Sequence, residues 1–172
     1  MKTFILLFRG INVGGNNILP MKELTQLLQK LGYYNVRTYI QSGNVICNGA
    51  SKPSIDISRE IKKTFGFEPN FLVLNPPDIV NAIANNPYNN KEGKTVHCFF
   101  CEKRPAKASL QVLSEYKGKS ENYAAIGKIV YLHAPDGIAR SKFVAKIESV
   151  LNVTVTARNL NTVNKLCSVL PT

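Results

Sequence analysis

Apolar and polar positions fall in short blocks separated by glycine, proline and asparagine. Residues 3–9 hold an unbroken apolar run, Phe4 to Phe8, which predicts a central strand. A polar, glycine-rich loop follows over 10–19, and Pro20 suits a first helical position. Met21, Leu24, Leu27, Leu28 and Leu31 recur at helical spacing, and Gly32 supplies the stop. Residues 36–40 and 45–47 predict two strands joined by a tight turn at Gln41, Ser42, Gly43 and Asn44. Ile57, Ile61 and Phe65 mark a second amphipathic helix closed by Gly66, and 71–74 predict a fourth strand before Pro76 and Pro77. The order strand, helix, strand, strand, helix, strand is the split βαβ pattern of a ferredoxin-like unit.

The order then recurs. After a short helix marked by Ile79, Val80 and Ile83 and an Asn-rich stretch over 85–90, a strand is predicted at 94–101. Leu110, Leu113 and Tyr116 mark a helix, and 123–126 with 129–133 a hairpin across Gly127 and Lys128. Phe143 or Val144 with Ile147, Val150 and Leu151 marks another helix, 153–156 a last strand, and Val163, Leu166, Cys167 and Leu170 a C-terminal helix. The predicted class is α+β with two ferredoxin-like (βαββαβ) halves. Their expected bounds are 1–76 and 94–157, with a connecting helix and linker over 77–93 and a C-terminal helix over 158–172. No sequence identity between the halves supports the repetition; only the order of elements does.

Composition narrows the partners. The chain has 172 residues and a formal charge of +11. Residues 1–93 carry 10 basic and 6 acidic side chains, a net +4, and residues 94–172 carry 12 and 5, a net +7. A polyanion such as nucleic acid, or an anionic small molecule, is the partner class this favours; scattered lysines such as Lys103, Lys107 and Lys119 read equally well as solvated surface. The apolar run at 4–8 is too short for a signal core or a membrane span, so a cytoplasmic protein with no membrane partner is expected. Oligomeric state is not legible. Cys98 and Cys101 form a C-x-x-C, but the setting TVHCFFC at 95–101 reads as a buried strand, where residues three apart face opposite ways and cannot share a metal. Neither a metal nor a cofactor is expected.

Three stretches are distinctive together: RGINVGGNNILPM at 9–21, YIQSGNV at 39–45 and TARNLNTVNKL at 156–166. GKIVYLHAPDG at 127–137, with Arg140, Ser141 and Lys142, fits the same set. The chain thereby resembles the bacterial family known as domain of unknown function 1697 (DUF1697), over essentially its whole length. The resemblance implies an intracellular bacterial protein of ferredoxin-like type and carries no activity. The family's usual tryptophan in the last motif is Leu160 here, so no stacking role transfers to that position.

Candidate chemistry lies in these motifs. Gly10, Gly14 and Gly15 let backbone N–H groups approach a ligand, the loop feeds a helix N-terminus, and Arg9 offers a bidentate fork for phosphate or carboxylate. The glycine spacing is that of a Walker A loop, but Asn16 and Asn17 replace its Lys-Ser/Thr, against a P-loop NTPase. The plain alternative is a long turn whose asparagines satisfy their own backbone. Gln41, Ser42 and Asn44 could join Arg9, Asn12, Gly14, Gly15 and Asn16, although the hairpin turn is expected at the sheet end opposite the first strand's exit. Arg158, Asn159, Asn161 and Lys165 are expected at the start of the last helix. There Arg158 would be misplaced unless an anion lies close, and Lys165 would follow two turns on. No catalytic residue stands out. His97 and His133 lie on strand-like segments, Asp136 and Glu148 are candidates only because acids are scarce, and neither a G-x-S-x-G nor an H-E-x-x-H occurs. An RNP1 pattern is also missing, as 44–48 present no aromatic. The residues therefore favour a module that binds a phosphate-rich or other anionic ligand. An enzyme acting on a small phosphorylated or carboxylated metabolite is the first alternative, and an interaction protein without a small ligand the second.

Overall fold

The structure is a computed structural model that describes residues 1–171. The chain forms two compact units, one holding Met1–Ile79 with the chain end from Leu166 on, the other Val80–Lys165. The first contains β1 (Lys2–Phe8), α1 (Met21–Lys30), β2 (Tyr34–Tyr39), β3 (Asn44–Gly49), α2 (Asp56–Phe65) and β4 (Phe71–Leu74). Its four strands are antiparallel neighbours in the order β2-β3-β1-β4. Phe4, Leu6 and Phe8 on one face of β1 join Leu24 and Leu28 of α1, Ile57 and Ile61 of α2, and Val45 and Cys47 of β3 in one apolar cluster. Ile5 and Leu7, on the other face, are also fully buried, which is why β1 reads as a continuous apolar run instead of alternating. Burying a side chain of this size contributes about 1.5–3 kcal/mol. α1 ends where expected: Gly32 takes φ +90°, and the Tyr33 N–H reaches back to the Leu28 carbonyl.

After α3 (Pro76–Ala84) the second unit repeats the plan with β5 (Val96–Cys101), α4 (Lys107–Ser114), β6 (Asn122–Ile126), β7 (Ile129–His133), α5 (Lys142–Leu151) and β8 (Val155–Asn159), followed by α6 (Leu160–Ser168). Its order, β6-β7-β5-β8, is the first sheet's order transposed. The fold is thus α+β, with two ferredoxin-like halves of six strand-and-helix elements each. Phe99, Cys101, Val130, Leu132 and Val155 pack beneath Phe143, Ile147 and Leu151 of α5. Ser141 caps α5 by accepting from the Val144 N–H, which accounts for the serine within the Arg140–Lys142 motif. The Asn-rich stretch bonds to itself and to the end of α3: Asn86 Oδ1 accepts from the Tyr88 N–H at 2.9 Å, Asn89 Nδ2 donates to the Ile83 carbonyl at 2.7 Å, and the Tyr88 and His133 rings lie 6.0 Å apart.

Local pattern misplaces several boundaries: the strand expected over 94–101 starts only at Val96, after a 3₁₀ turn at Gly93–Thr95, the strand expected over 36–40 runs Tyr34–Tyr39, and the largest shift is at the chain's last strand. The last strand, expected at 153–156, runs from Val155 to Asn159, because its pairing with β5 continues to His97↔Asn159. Ladder bonds with a central strand outweigh the helical pattern of the residues beyond. Arg158 and Asn159 are therefore strand residues, and the C-terminal helix starts at Leu160, not 158.

Candidate functional site

Of the eight candidate residues of the first unit, Arg9 and Asn12 after β1 come together with Gln41, Ser42 and Asn44 at the β2–β3 turn, and Gly14, Gly15 and Asn16 form the loop beyond Asn12. The turn, expected at the far end of the sheet, lies instead at the exit of β1. β1 and β2 each run antiparallel to β3, so they point the same way, and the turn after β2 falls beside the loop after β1. The Phe8 N–H bonds to the Gly43 carbonyl at 2.9 Å, and the Arg9 N–H to the Asn70 carbonyl at 2.9 Å. Arg9 thus stands between the hairpin turn and the approach to β4.

Asn12 ties the loop to the turn. Its Oδ1 accepts from the Leu19 N–H at 2.7 Å, while its Nδ2 donates to the Leu19 carbonyl at 2.9 Å and the Gln41 carbonyl at 2.8 Å. Between these anchors the chain makes a small hairpin: the Asn16 N–H bonds to the Val13 carbonyl and the Asn12 N–H to the Asn17 carbonyl. Gly14 and Gly15, at φ +58° and +75°, are the two central residues of its turn, which needs positive φ at both. The Walker-like spacing is accounted for by this hairpin. Asn17, itself at φ +51°, donates from Nδ2 to the Gly10 carbonyl at 3.0 Å. The plain alternative holds for Asn12 and Asn17: their amides serve the loop's own backbone.

The hairpin turn is similarly built. Asn44 is fully buried and donates to the Tyr39 carbonyl and the Ser42 Oγ. Gly43 sits at φ +84°, and a Cβ there would lie 2.6 Å from Ile11 Cδ1 and 2.7 Å from Phe8 Cβ. Ile40, half exposed, takes φ +50°, an uncommon and strained state for a β-branched residue. Leu19, Ile40 and Asn70 take part in this tip without any mark in the sequence pattern, since their parts are played by backbone groups. Asn16 and Gln41 are exposed at its surface, as are the side chains of Val13 and Ile18.

The remaining candidates, Arg158, Asn159, Asn161 and Lys165, belong to the second unit. Arg158 is not at a helix start. It lies in β8 opposite Cys98, buried, with its guanidinium donating to the Ala157 carbonyl at 2.8 Å; burial lowers its pKa to about 10, and it stays charged at neutral pH. The helix-dipole argument for a nearby anion therefore falls, and so does the two-turn relation to the exposed Lys165 in the last turn of α6. Asn159 caps that helix, its Oδ1 accepting from the Thr162 N–H at 2.9 Å. Asn161 is exposed and presses on Gly93, where an added Cβ would meet its side chain.

Burial raises the Cys98 thiol to about 12 and those of Cys47 and Cys101 to about 11, so all three are protonated, poor nucleophiles at neutral pH. Cys98 and Cys101 occupy alternate faces of β5, and among the described residues no group of three or more His, Cys, Asp or Glu is placed to hold a metal. Burial also lowers the pKa of His97. A thiol reagent added to the folded protein should label Cys167, the half-buried thiol, first and leave the other three slow; Cys167→Ser removes the fast phase. Fast labelling of Cys98 would contradict its burial. Among the described residues no helix is long and apolar enough to cross a membrane.

Two ferredoxin-like halves, the first bearing a loop tip stitched by side-chain amides, place the chain among tandem α+β proteins of ferredoxin-like type. A family model described as Protein of unknown function (DUF1697) matches residues 1–131, and the chain belongs to that family. The 156–166 motif lies beyond the matched residues. The structure is similar to that of the conserved bacterial protein SP0830 from Streptococcus pneumoniae, with 26% identity, a TM-score of 0.70 and coverage of 97% of each chain. No curated protein matches the sequence.

Proposed function

We propose that the protein is a binding module for an anionic, phosphate-bearing ligand, a nucleotide or nucleic acid within that class, which it takes at the loop tip of the first unit. The observation that carries this reading is the Asn12 bridge to the Gln41 carbonyl, across 29 residues of chain. It holds the glycine loop and the hairpin turn in one arrangement beside Arg9, so a ligand would meet a preorganised surface and little ordering cost. Because the amides of Asn12, Asn17 and Asn44 serve the backbone, ligand contact falls to the Arg9 guanidinium and the exposed side chains of Asn16 and Gln41.

Titration of labelled single- and double-stranded oligonucleotides and of ATP, at low and at physiological salt, tests the reading. Oligonucleotide binding should weaken as salt rises. Arg9→Ala should weaken it about tenfold, the scale of one charge-assisted hydrogen bond. No binding of any probe at low salt would leave the second reading, a protein-interaction tip, for which the exposed Val13, Ile18 and Ile40 speak.

A further inference from the structure

We infer that the first unit carries a second, separate site: a cleft for a small organic oxyanion, a phosphate or carboxylate group on a compact body, with Arg37 as its anion-binding residue. The cleft has a volume of about 300 Å³, at the small end of ligand sites, and opens on the sheet face away from α1 and α2. Ile46 lies at its base, with Val169 and Pro171 from the chain end on one side. Thr3, Tyr34, Asn35 and Asn48 supply its neutral polar groups and Arg37 its charged one; among the described residues no carboxylate lines it.

A β-bulge builds this arrangement. Tyr34 pairs with Asn48 and Arg37 with Ile46, so two residues of β2, Asn35 and Val36, stand opposite Cys47 alone. In a regular strand positions 34 and 37 would face opposite ways. The extra residue, made possible by Asn35 at φ +50°, puts Tyr34 and Arg37 on the same face as Asn48 and Ile46. Asparagine tolerates that conformation better than most residues. Such bulges re-aim side chains next to binding sites. The polar floor is oriented as well. Asn48 Nδ2 donates to Thr3 Oγ1 at 2.8 Å, leaving the Asn48 carbonyl oxygen and the threonine hydroxyl hydrogen for other partners. Tyr34 directs its hydroxyl to the sulfur of Met1. Among the described residues Arg37 has no ion-pair partner, and it stands at an exposed sheet edge, where its planar fork can take two oxygens of one phosphate or carboxylate.

The inference rests on the bulge and cleft, not on the loop tip, and backbone amide NMR titrations separate the two. The probes are AMP, benzoate and, as the uncharged control, adenosine. At least one of AMP and benzoate should give saturable shifts at Thr3, Arg37 and Asn48, and which one does tells phosphate from carboxylate. Arg37→Gln, an exposed change that should leave the thermal midpoint in place, should weaken that probe about tenfold or more. Arg9→Ala should leave it unchanged, and Arg37→Gln should in turn leave oligonucleotide binding at the tip unchanged. Adenosine binding as tightly as AMP where AMP is the anion that binds, shifts centred on Gly10 to Leu19, equal affinity in Arg37→Gln, or no saturation by either anion would each overturn the inference.

Discussion

Asn12→Ala should destabilise the first unit by at least about 3 kcal/mol: three hydrogen bonds at about 1 kcal/mol each, with the cost of an alanine in the left-handed region on top. The bonds at stake join its side chain to the Leu19 N–H, the Leu19 carbonyl and the Gln41 carbonyl, and its φ is +54°. In a chain of this length each kcal/mol moves the thermal midpoint by about 2–4 °C, so a fall of roughly 6–12 °C or more is expected in a melting scan. Asn12→Asp keeps the acceptor for Leu19 but sets a carboxylate oxygen against the Leu19 and Gln41 carbonyls, so it should be at least as destabilising as alanine. Asn16→Ala, at the exposed turn of the same small hairpin, should change stability by less than about 0.5 kcal/mol. Equal effects at positions 12 and 16 would mean that the stitch contributes nothing.

Gly43→Ala should be at least as damaging, for a different reason. The methyl group would meet Ile11 Cδ1 at 2.6 Å and Phe8 Cβ at 2.7 Å, and both neighbours are buried and fixed, Phe8 within β1. Overpacking of that kind costs about 1–3 kcal/mol, and φ +84° adds about 1–2 kcal/mol for a residue with a Cβ. Gly15→Ala is the matched control. At φ +75° it has the same conformational cost, but nothing lies within 4 Å of its added Cβ, so about 1–2 kcal/mol is expected. Denaturant titration of both variants separates the packing contribution from the conformational one. A Gly43→Ala variant no worse than Gly15→Ala would show that Ile11 and Phe8 yield without cost.

The contrast between these two glycines also marks how far local pattern reaches. Among the described residues periodicity locates the eight strands and six α-helices, because apolar spacing reports which face each element buries. Gly32 and Gly66 are legible as helix stops, since each takes the left-handed conformation that ends a helix. The boundary at Arg158 is not: a strand edge depends on how far its partner offers ladder bonds, and β5 offers them up to Asn159. The bulge at Asn35 is equally hidden, because an inserted residue reverses the facing of every later position in the strand and leaves no trace in composition.

The candidate site divides in the same way. The unusual motifs point to Arg9, Asn12, Gln41, Ser42 and Asn44, and these do lie together on the first unit. Residue types and spacing alone suffice to mark the two βαββαβ successions, the apolar character of β1 and the glycines that take positive φ, because these depend on neighbours a few positions away. Whether an asparagine serves a ligand or the backbone depends on which carbonyls lie within 3 Å of its amide. That is a matter of strand direction and register between segments 29 residues apart, and it turns Asn12 from a candidate ligand contact into the bond that holds the tip together.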